Sequence, residues 1–342
     1  MKTSAISAII PTYNRASLIS RAINSVLVQL EPEDELIVVD DGSNDDTAEM
    51  VSRYGPKVKY IRTINQGAGA ARNRGIREAT RPLIAFLDSD DEWLPEHLHL
   101  LRQVMRSRPD LLFCFTNFAT RFSNGSIRHF ALETQVEREL NWGEIIGPGQ
   151  PISSFMAIPP GSQDCMCFEG ENLYYSQCNT SYVSVDTMIV RRCEAGDSLR
   201  FAEDTKTAEE WECGARLARA GKSAYLHCET SLVHSHTGQQ LTDLDMFELA
   251  SSRITIMQRV WGTDEQFLKD HREFYEQRLW EERFLRLGGL LLRGRTSEAR
   301  EEMGGMENIP LAYSLLARLP GWLTKGLLDA RRSIRRPFLR QS

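Results

Sequence analysis

The sequence lacks several features that would by themselves define a class of protein. No apolar run reaches the roughly 18 residues that a membrane-spanning helix requires. Lys and Arg number 41 against 47 Asp and Glu, a net charge of −6, whereas a nucleic-acid-binding protein needs a basic excess. The seven cysteines are an odd number scattered over 342 residues, which favours a reducing compartment over a disulfide framework. We therefore expect a cytoplasmic globular protein that does not bind nucleic acid.

The charge is unevenly distributed along the chain. From Pro310 to Ser342 there are seven cations and one anion, so this segment carries +6 and the other residues carry −12. The segment combines Arg with Leu and Trp at amphipathic spacing, a pattern typical of a helix on an anionic membrane surface. A solvated basic tail, or a helix packed on the acidic body, would have the same composition. We expect peripheral contact with the inner face of the plasma membrane through residues 310–342.

Hydrophobic periodicity predicts an α/β fold in the first hundred residues. Short apolar runs alternate with segments of helical spacing, and the runs cover residues 5–10, 35–39, 58–61 and 83–87. Continuous apolar strands between helices predict a mostly parallel sheet with helices on both faces. Ligands of such sheets bind beyond the carboxyl ends of the strands, and polar clusters follow the second and fourth predicted strands.

The rest of the chain has a less regular pattern. Strands are predicted at 111–116, 182–190 and 223–226, and helices at 96–106 and 209–220, whereas residues 125–179 show weak periodicity. From Asp243 the pattern is helical almost to the end. We expect one domain over residues 1–240, followed by a helical C-terminal extension over residues 241–342.

An acidic cluster follows the fourth predicted strand, in the segment Phe86-Leu-Asp-Ser-Asp-Asp-Glu-Trp93. Three carboxylates within four residues repel one another unless something neutralises them. A divalent cation with oxygen ligands does so and can also hold a diphosphate. A solvated acidic turn is the alternative that this segment alone leaves open.

Four segments occur in order at the spacing of strand–helix units. They are Ile9-Ile-Pro-Thr-Tyr-Asn-Arg15, Val38-Val-Asp-Asp-Gly-Ser-Asn-Asp-Asp-Thr47, Asn65-Gln-Gly-Ala-Gly-Ala-Ala-Arg-Asn-Arg-Gly75 and Leu87-Asp-Ser-Asp-Asp91. Together they closely resemble the inverting glycosyltransferases of family 2. The resemblance implies a Rossmann-like GT-A fold, with a nucleotide-sugar-binding half at 1–100 and an acceptor and base half at 101–240. It also implies metal-dependent transfer of a sugar from a UDP- or dTDP-sugar to an acceptor hydroxyl, in cell-surface polysaccharide or lipid-linked glycan synthesis.

The resemblance assigns nucleotide-binding roles to the matching residues. Pro11 and Tyr13 would line the nucleotide pocket. Asp41 would accept a hydrogen bond from the uracil or thymine imide, with Asp40 supporting the turn. Arg72 would face the nucleotide or its phosphates. The residues themselves also allow a strand-ending turn with a helix cap at Asp40-Asp41 and an ordinary surface cation at Arg72.

The resemblance also implies a metal site. Asp88 and Asp90 match the Asp-x-Asp element, which contacts the ribose and, through Mg²⁺ or Mn²⁺, the diphosphate; Asp91 is a third candidate ligand. Downstream, His236 matches a histidine that approaches the metal or diphosphate, and His234 stands where the family has Arg. A loop histidine without a function remains the alternative for His236.

A general base is expected in the second half of the domain. The family has an acidic pair before a short helix, with Arg six residues after the second acid, and here Glu209, Glu210 and Arg216 reproduce that spacing. Glu210 then stands where Asp is usual, and Asp204 ranks second as the base. Because Thr207-x-x-Glu210 also fits a capping box, backbone capping is the alternative explanation of this glutamate.

Three other functions are weighed against glycosyl transfer. A non-catalytic nucleotide-sugar-binding module would keep the donor residues without needing the base. A nucleotidyltransferase would have a Gly-rich, Arg-containing loop after its first strand, where this chain has Pro-Thr-Tyr-Asn. A dehydrogenase is disfavoured, because Gly67-x-Gly69-x-x-Arg72 lacks the final Gly of a dinucleotide fingerprint and follows the third strand.

Overall fold

The chain divides into two compact units. A computed structural model describes residues 4–134, 140–158, 164–235 and 246–335. The first unit comprises Met1–Asp204 and Glu209–Gly238, and the second comprises Thr205–Ala208 and Gln239–Ser342. The seven cysteines are all free, in agreement with the predicted absence of a disulfide framework.

The described part of the first unit contains one sheet of eleven strands and nine α-helices. The strands are β1 (Ile6–Thr12), β2 (Glu35–Asp40), β3 (Lys59–Arg62), β4 (Leu83–Phe86), β5 (Glu92–Trp93), β6 (Phe113–Arg121), β7 (Ile127–Arg128), β8 (Gly149–Pro151), β9 (Met166–Gly170), β10 (Met188–Arg191) and β11 (Ser223–His234). The helices are α1 (Ile19–Leu27), α2 (Thr47–Ser52), α3 (Ala68–Glu78), α4 (His97–Ser107), α5 (Ala131–Thr134), α6 (Trp142–Ile145), α7 (Leu173–Gln177), α8 (Arg192–Ala195) and α9 (Glu209–Ala220).

The sheet is mixed and mostly parallel. Its order is β3-β2-β1-β4-β10-β6-β11-β9-β8, with β5 paired to β11 and β7 paired to β6. Strands β1 to β4 are parallel neighbours, β10 runs antiparallel between β4 and β6, and β11 is again parallel to β6. Most strands therefore share one direction, and the predicted α/β architecture is confirmed.

Both faces of the parallel strands are covered, which explains their continuous apolar sequence. Successive side chains of a strand point to opposite faces. In β1, Ile6, Ala8 and Ile10 pack with α1 and α4 on one face, whereas Ile9 packs with α3 and α9 on the other. A strand of an exposed sheet would have alternated apolar and polar residues.

The topology brings five chain segments to one edge of the sheet. Parallel strands β1, β2, β4 and β11 end there, because their carboxyl ends point the same way. Since β10 runs antiparallel to β4, its beginning lies at that same edge. A single strand was predicted over residues 182–190, whereas the structure has a 3₁₀ helix at Val185–Thr187 followed by β10. This short helix delivers an unpredicted carboxylate, Asp186, to the edge.

The second unit is helical in its described residues. Its helices are α10 (Met246–Val260), α11 (Glu265–Leu292), α12 (Thr296–Met303), α13 (Leu311–Arg318) and α14 (Gly321–Arg335). Leu287, Leu290, Leu291, Ala299 and Ala317 form its buried cluster. In the portion of the chain that the structure describes, every helix is too short or too polar to cross a bilayer.

Candidate active site

The turn after β2 is built around two buried aspartates. Asp40 accepts hydrogen bonds from the Ser43 backbone N–H at 2.8 Å and from the Tyr60 hydroxyl at 2.5 Å. Asp41 accepts from the backbone N–H groups of Gln66 and Gly67 at 2.9 and 2.7 Å. Burial raises the pKa of Asp41, and these amides oppose that shift. The Asp41 carboxylate thus fixes the loop before α3.

The segment after β1 crosses this turn. Pro11 is buried within β1, and Tyr13 is 41% exposed. The Asn14 backbone N–H donates to the Ser43 hydroxyl at 2.9 Å. Arg15 then contacts the acidic loop, where its Nε lies 3.2 Å from the Asp90 carboxylate. The polar residues after β1 and β2 therefore border one surface, of which Tyr13 is the exposed aromatic member.

Three carboxylates converge beyond β4. Ligand oxygens of Asp88, Asp91 and Asp186 lie within 4.8 Å of one another. Asp186 accepts a hydrogen bond from the Asp88 backbone N–H at 2.7 Å, and its own carbonyl accepts from the Trp93 indole at 2.8 Å. Asp91 and Asp186 are 6% and 3% exposed. Burial raises the pKa of all three carboxyl groups, and repulsion from neighbouring carboxylates adds to it, while Arg72 opposes the shift at Asp88. The pKa values of Asp91 and Asp186 rise well above the usual range.

This trio differs from the ligand set predicted from sequence. Asp90 was predicted as a ligand, but in the described structure it lies beside Arg15 and is outside the trio, whose third member is Asp186. Asp186 was missed because sequence periodicity does not show that β10 is antiparallel. His236, also predicted, lies outside the described residues. Its neighbour His234 donates its backbone N–H to Asp91 at 2.7 Å, and its ring contacts Glu92.

Arg72 joins the acidic loop to helix α9. Its guanidinium is 2% exposed, donates to Asp88 at 2.6 Å and to Glu209 at 2.8 Å, and stacks on Phe201. Burial opposes the charge of Arg72, but the two carboxylates raise its pKa. The alternative of an ordinary surface cation is therefore wrong. In this structure Arg72 forms a buried bridge between two acids, and its contact with nucleotide or phosphates stays a prediction.

A glycine permits this bridge. A Cβ on Gly69 would lie 2.2 Å from the Ala202 carbonyl oxygen, so only glycine allows α3 to approach the chain before α9 so closely. The approach lets Arg72, one turn further along α3, reach Glu209 at the start of α9. Close packing thus explains the second glycine of the Gly67-x-Gly69 pair, and the first has a positive φ of 96°.

The two residues of the acidic pair have different surroundings. Glu209 is buried against Arg72, whereas Glu210 is partly exposed and accepts a hydrogen bond from the Val185 backbone N–H at 3.2 Å. Because α9 begins at Glu209, a capping box starting at Thr207 does not form. Burial raises the pKa of Glu210 to about 7. Asp204, the second-ranked base, is exposed.

The trio fits a divalent cation by the chemistry of its donor set. Hard carboxylate oxygens are the ligands that Mg²⁺ and Mn²⁺ prefer. In the described residues, no Lys or Arg side chain forms an ion pair with Asp91 or Asp186, so their ionised forms lack a protein counter-charge. Glu210 lies next to the trio, because its carboxylate accepts a hydrogen bond from Val185, the residue before Asp186. The arrangement can hold a cation beside a carboxylate whose pKa suits proton transfer near neutral pH.

Comparison with known families finds a match in the first part of the chain. The family model described as "Glycosyl transferase family 2" matches residues 7–159. An uncharacterised glycosyltransferase of Nostoc is 42% identical over 106 residues, covering 30% of this chain and 33% of that protein. A Bacillus subtilis protein named for teichuronic acid biosynthesis, the glycosyltransferase TuaG, is 34% identical over 125 residues, covering 35% of this chain and 49% of that protein. The matches thus span a third to a half of these relatives.

Solved structures extend the fold comparison beyond the family match. The S. aureus TarS fragment 1–349, crystallised with UDP-GlcNAc, superposes with a TM-score of 0.59 at 19% identity, covering 91% of this chain and 83% of that one. A longer S. aureus TarS structure gives a TM-score of 0.53 at 20% identity and covers 81% of this chain and 42% of that one. At such low identity the likeness establishes a shared GT-A fold.

Proposed function

We propose that residues 7–159, which match the model described as "Glycosyl transferase family 2", form a domain of that family and that the protein is a metal-dependent inverting glycosyltransferase. The donor is a UDP- or dTDP-sugar and the acceptor is a hydroxyl of a glycan or lipid-linked glycan. A cell-surface polysaccharide is the product class, and the enzyme acts in the cytoplasm at the inner face of the plasma membrane. The name of TuaG and the UDP-GlcNAc held by TarS support the product class and the donor class respectively.

One arrangement supports this proposal: ligand oxygens of Asp88, Asp91 and Asp186 lie within 4.8 Å of one another, and Glu210, whose pKa burial raises to about 7, accepts a hydrogen bond from Val185, the residue before Asp186. Asp88, Asp91 and Asp186 would hold Mg²⁺ or Mn²⁺, and His236 is retained as a further candidate ligand. When bound, the cation would neutralise charge on the departing diphosphate. The Asp-x-Asp role of Asp90 is retained as contact with the ribose or, through the cation, with the diphosphate, for which Arg15 would have to release its carboxylate.

The nucleotide would lie along the segments after β1 and β2. Pro11 and Tyr13 would form one side of its pocket. Asp41 would keep the loop at Gln66 in place. Its Oδ1 would also accept a hydrogen bond from the imide N–H of the base, in competition with the Thr63 hydroxyl, which is 3.3 Å away. Asp40 would support this turn through its bonds to Ser43 and Tyr60.

Proton transfer would fall to Glu210. As the acceptor oxygen forms its bond to the sugar C1, the C1–O bond to the diphosphate breaks on the opposite face and the electron pair leaves with the nucleoside diphosphate. Glu210 takes the proton of the acceptor hydroxyl. Arg72 would set the distance between donor and base, because it binds Asp88 on one side and Glu209, the neighbour of Glu210, on the other.

The domain boundary near residue 240 is retained as part of the proposal. Residues 1–100 would bind the donor, residues 101–240 would supply the base and the acceptor surface, and residues 241–342 would form a helical extension. The catalytic role of residues 101–240 depends on Glu210, because a non-catalytic module that only binds a sugar nucleotide would not need a base.

Turnover with a panel of UDP- and dTDP-sugars tests the function. We expect release of nucleoside diphosphate from at least one donor with Mn²⁺ or Mg²⁺, and no release with EDTA. The Glu210→Gln variant serves as the matched control, because it keeps side-chain volume and donor binding. Donor binding without turnover in both forms would favour the non-catalytic module. Failure of every nucleotide to bind would overturn the proposal.

A further inference from the structure

Helices α13 and α14 carry several solvent-exposed large apolar side chains. Of the twelve large hydrophobic side chains exposed in the described residues, four lie within the short stretch from Leu311 to Leu327. They are Leu311 at 74%, Leu315 at 52%, Trp322 at 77% and Leu327 at 49% exposed. Elsewhere such residues are scattered singly, which is ordinary for a protein surface. We call these four residues the Leu/Trp surface.

The Leu/Trp surface is not the face by which these helices fold. Ala317 is buried, and Tyr313, Leu316 and Leu328 pack against the cluster formed by α11 and α12. The Thr324 hydroxyl, on the same inner side, donates to the Leu316 carbonyl at 2.8 Å. The helices therefore have an inner apolar face that is packed and further apolar side chains that the packing of the unit does not use.

Cations accompany the Leu/Trp surface. Arg318 and Lys325 are exposed between its members, and the sequence from residue 310 to the end carries +6. An apolar face with Trp and flanking cations matches an anionic bilayer, where the rings and Leu side chains enter the headgroup boundary and the cations meet lipid phosphates. A second copy of this segment is a poor partner, because two +6 segments repel each other.

We propose that the Leu/Trp surface docks this protein on anionic phospholipid bilayers. The inference deepens the proposed location at the inner membrane face and assigns it to one surface. It does not depend on the transfer reaction, since vesicle binding is measured without donor or acceptor. Loss of glycosyl transfer would therefore leave it standing, and loss of vesicle binding would leave the transfer reaction standing.

Co-sedimentation of the full chain with vesicles tests the apolar part of the proposal. The vesicles are phosphatidylcholine alone, or phosphatidylcholine with about one-third phosphatidylglycerol. We expect wild-type protein to bind the anionic vesicles. Leu315→Ser combined with Trp322→Ser should lower the partition coefficient at least about tenfold, because each substitution removes apolar area that the bilayer would bury. The control combines Val28→Ser with Ile64→Ser, which are 82% and 76% exposed in the first unit, and should bind like wild type.

A charge-reversed pair tests the electrostatic part. Arg318→Glu combined with Lys325→Glu should weaken binding to anionic vesicles at low salt, whereas the control Lys57→Glu combined with Lys269→Glu reverses two exposed lysines elsewhere and should have a smaller effect. Rising salt should weaken wild-type binding.

Three results would overturn the docking proposal. The first is equal wild-type sedimentation with and without phosphatidylglycerol, and the second is binding that the Leu315 and Trp322 substitutions leave unchanged. The third is a wild-type dimer in light scattering that the same substitutions dissociate, because the surface would then contact a second copy. Circular dichroism of each variant confirms its fold, which surface substitutions should preserve.

Discussion

Two buried acids of the first unit, Asp91 and Asp186, have surroundings opposite to those of the buried acids of the second unit. In the second unit, Glu302 accepts from Arg283 at 2.7 Å and also pairs with Arg286, and Glu282 lies near Arg253 and Arg278. In the first unit, by contrast, Asp91 and Asp186 have backbone N–H donors and each other. The two arrangements contain the same functional group, but arginine supplies the counter-charge of Glu302 and Glu282, whereas in the described residues no arginine forms an ion pair with Asp91 or Asp186.

This contrast separates structural acids from acids available for chemistry. A buried carboxylate is costly unless it is paired and hydrogen-bonded. Two arginines offset the free-energy cost of burying Glu302, so a bound cation is not needed to stabilise its charge. Around Asp91 and Asp186 the cost persists, because burial and repulsion hold their pKa values high. A bound cation would remove it, which is why the edge of the sheet, and not the helical unit, is the candidate active site.

Neutralising the proposed base should have the largest effect on activity. Glu210→Gln should lower kcat by about 10³-fold, within the range of general-base effects, with little change in donor KM. Steady-state turnover measures both constants. Asp204→Asn is the matched control and should retain most activity; an equal loss in both variants would return the assignment of the base to an open choice.

Removing one member of the trio should abolish most cation binding. Asp91→Asn is expected to weaken Mn²⁺ affinity by about a hundredfold in the presence of UDP, because a charged ligand is lost. Isothermal titration calorimetry measures the affinity. Glu302→Gln removes a buried acid of the arginine-paired kind and should leave Mn²⁺ affinity unchanged. Similar losses in both would mean that cation binding does not depend on the trio.

The pH dependence of turnover should follow the base. Because burial raises the pKa of Glu210 to about 7, the active carboxylate form prevails above that pH and is protonated below it. We expect kcat/KM to fall about tenfold per pH unit below 7 and to level off above it. A profile with its inflection near 4.5, the ordinary value for glutamate, would contradict this role.

Stability should respond in opposite directions to substitution in the two units. A carboxyl group whose pKa is raised by folding contributes stability at low pH that is lost as the pH rises. In EDTA at pH 8, Asp186→Asn should therefore raise the free energy of unfolding by about 1 kcal/mol, whereas Glu302→Gln should lower it by a similar amount. Urea denaturation followed by circular dichroism measures both changes.

Low pH supplies the control for this pair. At pH 4 the gain from Asp186→Asn should shrink, because Asp186 is then protonated in the wild-type fold. A destabilising effect of Asp186→Asn at pH 8 would show that the amide cannot replace the carboxylate as acceptor for Asp88, and the contrast between the units would fail.

Local sequence patterns predicted the parallel half of the fold well. The apolar runs of β1, β2 and β4 are continuous because both faces are covered, and helix α9 was predicted with its observed bounds. The aspartates after β4 could be singled out because carboxylates so close in sequence repel one another whatever the fold around them. These inferences depend on neighbours close in sequence.

Long-range features were not predictable in the same way. The direction of β10 decides that Asp186 joins Asp88 and Asp91, and a strand's direction has no signature in its own residues. The bridge from Arg72 to Glu209 spans 137 residues, so the sequence suggested a ligand contact for a side chain that is buried between two acids. The outward face of α13 and α14 could likewise be assigned only once their inner face was known.

Crystals of the full chain soaked with UDP and Mn²⁺ test the central claim most directly. An anomalous difference map locates the manganese. We expect one peak within about 2.5 Å of carboxylate oxygens of Asp88, Asp91 or Asp186, with the UDP diphosphate against it and the uracil near Asp41. Manganese and UDP bound elsewhere, with the three carboxylates unchanged, would contradict the account.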